Sequence, residues 1–325
     1  MSVMTLVKAI NNALDIELNE NENVVVYGED VGYEGGVFRV TQGLQEKYGK
    51  HRVFDSPLAE SGIVGTAVGM AVAGLKPVIE MQFSGFAYPG FNQMISHVSR
   101  MRNRSRGKYS SSLVIRMPYG GGIKALEHHS ESMEALYGHI PGLNVVIPST
   151  PHDAKGLLIS AVESEDPVIY MEPKRIYRAV KQEVSDEKFK VKIGNANVVQ
   201  QGTDVTVVTY GAMMRDTQKA IALAKKAGIS IELIDLRTIY PLDRETIANS
   251  IKKTGRLVSV TEAPKTFGPG GELMAIANEE AFLHLEAPPK RVTGFDTIFP
   301  LPQGEHHYIP TPEKIYYEIE KTVKF

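Results

Sequence analysis

The sequence contains no cysteine in 325 residues. No disulfide, thiolate metal centre or cysteine nucleophile can therefore form within this chain, which is compatible with a reducing cytoplasm. It also lacks an excess of either charge. Lys and Arg number 36 and Asp and Glu 38, for a net charge of −2, so nothing global favours nucleic acid. Long apolar runs are missing too. The uncharged stretch Ser61–Leu75 is rich in glycine and too short to span a bilayer. The opening segment has no basic region followed by a smooth apolar one and reads as an amphipathic helix, not a signal peptide. There is no internal repeat or low-complexity tract. The expectation is a soluble, cytoplasmic protein with no membrane or nucleic-acid partner.

What is present is alternation. Short β-branched runs predict strands at Asn23–Tyr27, Arg52–Phe54, Val78–Phe83, Leu113–Met117, Asn144–Ile147 and Val168–Met171. Helical patterns fall between them near Ser61–Leu75, Phe91–Arg102, Ser132–Gly138 and Asp153–Val162. This rhythm predicts an α/β fold with a mostly parallel sheet covered on both faces. From Lys174 to about Gln201 the pattern weakens and charge rises. A second α/β pattern follows, with strands at Val205–Thr209, Ile231–Leu236 and Leu257–Val260. Its helices are expected near Asp216–Ala227, Arg244–Lys253 and Gly271–Leu283, with a closing helix at Pro312–Lys321. The division expected is a first domain over 1–180, a linker over 181–202 and a second domain over 203–325.

Four segments could carry chemistry. In the first, Glu60 stands where an extended segment turns into a helix. Gly62, Gly65, Gly69 and Ala73 follow as a stripe that would let another backbone approach. Glu60 can equally be a first-turn acid favoured by the helix dipole. The second runs from Gln82 through Phe83, Phe86, Tyr88 and Phe91. Aromatic walls with one amide suit a flat heterocycle, and they also suit an ordinary core. The third places Gly120-Gly121-Gly122 before His128 and His129. Three glycines give a mobile loop, or one that a ligand approaches closely. The histidines could serve as acid and base near neutral pH, or simply face solvent. They lack the further ligands of a metal site. The fourth, Arg100, Arg102, Arg104, Arg106 and Lys108, spreads charge around a helix end that Gly107 would stop.

The order of these segments carries more than any one of them. The run "GEDVGYEGGVFRVTQGLQEKYGKHRVFDSPLAESGIVGTAVGMAVAGLKPVIEMQF" resembles the start of the β subunits of 2-oxo acid dehydrogenase E1 components. "HHSES", "PGLNVVIPSTPHDAKGLL" and "DPVIYMEPKRIYRA" continue the likeness, and "DLRTIYPLD" and "TGRLVSVTEAP" are similar to the C-terminal domain shared with transketolases.

This resemblance implies a transketolase-like pyrimidine-binding domain followed by a transketolase C-terminal-type domain. The implied cofactor is thiamine diphosphate. Glu60 would hold a proton at N1′ of its aminopyrimidine. Leu58 would give a backbone contact, Gln82 would line the pocket, and Phe86 would pack on the ring where relatives often carry tyrosine. His129 would face the reacting end and protonate a departing lipoyl thiolate, while His128 aligns less firmly. Complete thiamine enzymes carry a Gly-Asp-Gly element for Mg2+ and the diphosphate, and this sequence has no such triplet. An α subunit would then supply Mg2+ and the diphosphate end, in an α2β2 heterotetramer containing a second β subunit. The lipoyl-bearing E2 acyltransferase would be a further partner. Members of the family can also hold a structural K+ through carbonyls near Leu113 and Ala161. "HHSES" and "EPKRIYRA" lean towards a branched-chain 2-oxo acid substrate, with pyruvate as the alternative and an acetoin-type enzyme behind both. A non-catalytic docking protein of this fold would need none of Glu60, Gln82 and His129.

Overall fold

The alternation of strand and helix becomes two mainly parallel sheets in the computed structural model, which describes residues 1–325. The first half runs β1 (Ser2–Thr5), α1 (Leu6–Glu20), β2 (Val24–Gly28), α2 (Leu44–Tyr48), β3 (Val53–Asp55), α3 (Glu60–Val72), β4 (Lys76–Glu80), α4 (Tyr88–Ser96) and α5 (Met101–Arg104). It continues with β5 (Val114–Tyr119), α6 (Glu134–Gly138), β6 (Asn144–Val146), α7 (Pro151–Glu163), β7 (Val168–Pro173) and β8 (Lys181–Val184). The second half runs β9 (Asn197–Gln200), β10 (Val205–Thr209), α8 (Met213–Lys226), β11 (Ile231–Asp235), β12 (Thr238–Tyr240), α9 (Arg244–Thr254) and β13 (Leu257–Val260). It closes with α10 (Gly270–Glu280), β14 (Lys290–Val292), α11 (Glu305–Tyr308) and α12 (Pro312–Val323).

The first sheet has seven strands in the order β12-β6-β7-β5-β4-β2-β3, and the second has five, β14-β13-β10-β11-β9. Within the first, only β12 runs antiparallel to its neighbour. Strands β2, β5 and β7 are buried at every position, as strands covered on both faces must be. Helices α1 and α7 pack on one face through Leu6, Ile10, Leu14, Leu157 and Leu158. Helices α3 and α4 cover the other. Helix α7 begins as its sequence suggests: Pro151 opens the first turn and Thr150 Oγ1 accepts from Asp153 N at 3.1 Å.

Two expectations need correction. The helix expected over Phe91–Arg102 is broken at His97, between α4 and a short 3₁₀ turn at Val98–Arg100. There the Ser99 hydroxyl and Arg100 Nε both donate to Ile95 O at 2.9 Å, taking a carbonyl that a continuous helix would use. The three glycines at 120–122 are not a free loop. A side chain at Gly120 would strike Glu262, one at Gly121 Phe299, and one at Gly122 Arg175. Glu262 and Phe299 belong to the second half, so the glycines form a seat between the halves.

That contact between halves is extensive. One hydrophobic cluster of 33 buried residues joins Ile115, Met117 and Ile169 to Val208, Ile234 and Leu257. Polar links reinforce it. Arg237 Nη2 lies 2.7 Å from Asp153 Oδ1, Tyr210 Oη donates to Glu134 Oε1 at 2.7 Å, and Gly211 N donates to Ser149 Oγ at 2.8 Å.

Beneath the first sheet's carboxyl edge sits a charged cluster with no access to water. Arg116 on β5 grips Glu172 on β7 with Nε and Nη2, at 2.7 and 3.0 Å, and Glu80 on β4 with Nη1 at 2.7 Å. Tyr177 Oη donates to Glu172 Oε2 at 2.6 Å. Burial pushes the Glu80 carboxyl up and Arg116 pulls it back. Arg116→Leu would leave two carboxylates buried without their cation. We expect a loss of ~3–5 kcal/mol in unfolding free energy by chemical denaturation, and a loss below ~1 kcal/mol would contradict this account.

Burial also raises the Glu134 carboxyl to about 7, although the Tyr210 hydroxyl that donates to it opposes the shift. A carboxyl with a higher pKa when folded stabilises the fold while protonated. That contribution is complete below the ordinary 4.5 and is lost as pH rises through about 7. Glu134→Gln stays neutral throughout. Its melting temperature should therefore gain on the wild type's between about pH 5 and about pH 8. A constant difference between the two proteins would show that Glu134 does not titrate there.

Candidate active site

Strands β2, β3 and β4 are parallel neighbours, with Gly28 opposite Asp55 on one side and Glu80 on the other. Their carboxyl ends therefore lie along one edge, where open α/β sheets form ligand crevices. The segments leaving that edge carry Glu29-Asp30, Leu58 to Glu60, and Gln82 to Tyr88. Four of the residues expected from sequence, Leu58, Glu60, Gln82 and Phe86, lie on them.

Glu60 is the first residue of α3, at the positive end of the helix dipole, with no capping side chain before it. Two contacts fix this turn. Tyr27 Oη, on β2, donates to Ile63 O at 2.8 Å, and its ring stacks on Phe54 with centroids 4.9 Å apart. From the other side, Ser61 Oγ donates to Pro89 O, and Gly90 lets α4 approach the Glu60 carbonyl. The Glu60 side chain is half-buried and the Leu58 side chain is exposed, so any ring contact by Leu58 falls to its backbone. The stripe of Gly62, Gly65 and Gly69 meets no backbone from within this chain.

Sequence reasoning missed Glu29. It is buried beside Glu60, and its Oε1 has no hydrogen-bond partner. Burial first, and then the charges of Glu60 and Asp30, hold its carboxyl above the ordinary range. The available signal was an acidic pair directly after a strand. Asp30 accepts from Gln82 Nε2 at 2.8 Å, which ties the β2 and β4 ends together.

The aromatic residues and the histidines do converge. His129 packs edge-on against Phe83 and Phe86, with ring centroids 4.5 and 4.9 Å apart, and its Nδ1 is buried without a partner. Phe83 and Phe86 are themselves 5.3 Å apart. His128 meets Phe86 more distantly, with ring centroids 5.9 Å apart. Its ring lies 5.5 Å from Tyr88, and its Nδ1 is 3.6 Å from Glu131 Oε2. Tyr88 Oη donates to the same carboxylate oxygen at 3.0 Å. Gly85 makes room for this turn, because a side chain there would strike the His128 carbonyl. Ser84 Oγ donates to Glu131 O at 2.9 Å and Ser130 Oγ to Leu126 O at 3.0 Å. "HHSES" is thus a turn held mainly by its serines and Glu131.

A flat apolar wall, a partnerless ring nitrogen, an acid at an open helix start and a second acid behind it suit an aminopyrimidine better than a metal. No three His, Asp or Glu side chains are grouped to hold a metal ion. Leu113 and Ala161 do not join this site. They lie at the opposite, amino edge of the same sheet, just before β5 and in the last turn of α7.

Residues 2–180 match the family model for the transketolase pyrimidine binding domain, and residues 194–315 that for the transketolase C-terminal domain. The chain is 58% identical over 324 residues to the pyruvate dehydrogenase E1 component subunit beta of Acholeplasma laidlawii, covering 100% of this chain and 99% of that one. It is 51% identical to the protein of that name from Mycoplasma pneumoniae, covering 98% and 97%. The Staphylococcus aureus protein of that name is 47% identical, with both chains covered completely. Among solved structures, a split-gene transketolase described as an inactive beta4 tetramer superposes with a TM-score of 0.81 at 23% identity over 99% of both chains, a likeness of fold alone.

The lean towards a branched-chain substrate is corrected by these names, each of which is pyruvate dehydrogenase. The second of the two motifs behind that lean is architectural. In "EPKRIYRA", Glu172 holds Arg116, Lys174 donates to Gly120 O, Arg175 pairs with Asp216 and Arg178 reaches Phe38 O. No helix is long and apolar enough to cross a membrane. A sheet edge that gathers an acid, an amide and an aromatic–histidine wall, on a chain matched end to end by these relatives, places the protein in the thiamine diphosphate-dependent, transketolase-like family of 2-oxo acid dehydrogenase E1 β subunits.

Proposed function

We propose that this chain is the β subunit of a pyruvate dehydrogenase E1, the reading that stood as the alternative on sequence. The full-length likeness to three proteins of that name, at 47–58% identity, carries it. Its partners are an α subunit and a second β subunit in an α2β2 assembly, and the lipoyl-bearing E2 acyltransferase. The first domain, 1–180, binds the pyrimidine end of the cofactor, 181–202 link the halves, and 203–325 form the transketolase-type domain. With no Gly-Asp-Gly triplet in the sequence, Mg2+ and the diphosphate fall to the α subunit.

Thiamine diphosphate, when bound, supplies the carbon nucleophile and the electron sink for decarboxylation. The chain's own residues hold and orient it. Glu60 keeps a proton at N1′ of the pyrimidine. Leu58 meets the ring through its backbone, Gln82 lines the pocket and Phe86 lies against the ring face. His129 gives a proton to the lipoyl sulfur at acyl transfer, a role supported by its partnerless Nδ1 beside Phe83 and Phe86. Glu60 is only half-buried in this chain, which fits a site closed by another subunit.

The test is co-expression with the α subunit and assay with pyruvate and with 3-methyl-2-oxobutanoate. We expect pyruvate to be preferred and this chain alone to be inactive. Preference for the branched acid would overturn the substrate, and activity of the isolated chain would overturn the shared site. Glu60→Gln should lower turnover by ~10²-fold or more with assembly intact, within the range of a lost proton-transfer group. An unchanged rate would remove Glu60 from the chemistry. His129→Ala should slow lipoyl acylation at least as much as decarboxylation. If neither step slows, the histidine is only part of the wall.

A further inference from the structure

At the amino edge of the first sheet, far from the site described above, a lysine stands where a metal ion is expected. Lys76 opens β4, and its side chain runs under the end of α7. Its Nζ donates to Val162 O at 3.0 Å and to Ser112 Oγ at 3.3 Å. Val162 is in the last turn of α7, where carbonyls have no partner within the helix and the dipole favours a cation. No carboxylate forms an ion pair with Lys76. Its charge is balanced only at longer range, by Glu17, Glu163 and Glu165, against a burial that lowers its pKa. Neutral oxygens around a monovalent cation are the donor set of K+, and an ammonium of nearly the same radius can use it too.

The neighbouring oxygens are also engaged. Leu113 O accepts from Val168 N at 3.1 Å and Ala161 O from Ser164 N at 3.3 Å. Ser164 O accepts from Ser112 Oγ at 2.6 Å, and Asp166 O accepts from Ser164 Oγ at 2.9 Å. The carbonyls near Leu113 and Ala161 that the family resemblance assigned to K+ thus each already accept a hydrogen bond from within the chain. One covalently tethered cation and one hydroxyl bind the strand-and-helix junction from inside the chain.

We propose that the Lys76 ammonium, with the Ser112 hydroxyl, takes the place of a structural K+, so that this junction needs no bound cation. The reading does not depend on which 2-oxo acid the enzyme takes. It is tested on the assembled enzyme, dialysed into choline chloride and then supplied with KCl, RbCl or choline chloride at equal ionic strength. The wild type should melt at the same temperature in all three. A crystal soaked in RbCl should show no anomalous peak within reach of the Val162 and Ala161 carbonyls. Lys76→Met removes the charge and keeps the stem. It should melt several degrees lower in choline and recover in K+ or Rb+, because binding to the folded state alone stabilises it by mass action. A Rb+ peak beside Val162 O in the wild type would overturn the proposal, whether or not the variant folds. So would a Lys76→Met enzyme whose melting temperature equals the wild type's in choline.

Discussion

The architecture depends on one guanidinium. Arg116 lies at the centre of the seven-stranded sheet and ties three adjacent strands through two buried carboxylates. Such a cluster is a poor source of net stability, because its desolvation cost approaches its Coulomb gain. What it supplies is register. A strand slipped by one residue would strand a charge in an apolar layer. Glu80 closes β4 one residue before the segment that carries Gln82 and Phe86. Glu172 lies within β7, two residues before Lys174. The ends of the strands that form the site are thus fixed from below. The side chain of Glu80 also faces Gly36, in the loop that follows β2.

Above that foundation the site is held from two directions. The acid-bearing turn is clamped within the first half by Tyr27 and Pro89. The histidine-bearing turn is steadied partly from the second half, since Ser132 Oγ donates to Glu262 Oε1 at 3.4 Å and Lys124 N to Glu305 Oε2 at 3.1 Å. Wall and acid therefore answer to different parts of the chain.

The sequence reading succeeded where local pattern dominates. Buried parallel strands leave continuous β-branched runs, and Thr150-Pro151 marks a helix start without further context. Glu60, Gln82, Phe86 and His129 came from the order of motifs, since a carboxylate before a small-residue helix is also an ordinary helix start. What was illegible depends on long-range contact. Nothing local reveals that Glu29 lies buried beside Glu60, or that Gly120–Gly122 receive side chains from residues far along the chain. The substrate lean failed for a related reason: "EPKRIYRA" records packing obligations and not the shape of an acyl pocket.

The outermost strand of the first sheet, β12, is drawn from residues 238–240, inside the second half. During synthesis the first sheet therefore leaves the ribosome with β6 as an open edge, and it stays open until residues 238–240, in the early part of the second half, have followed. An unpaired strand edge is a template for pairing with another chain. For that interval β6 is exposed to mispairing with neighbours on the same message, and the last strand of this sheet to arrive is the one that covers it.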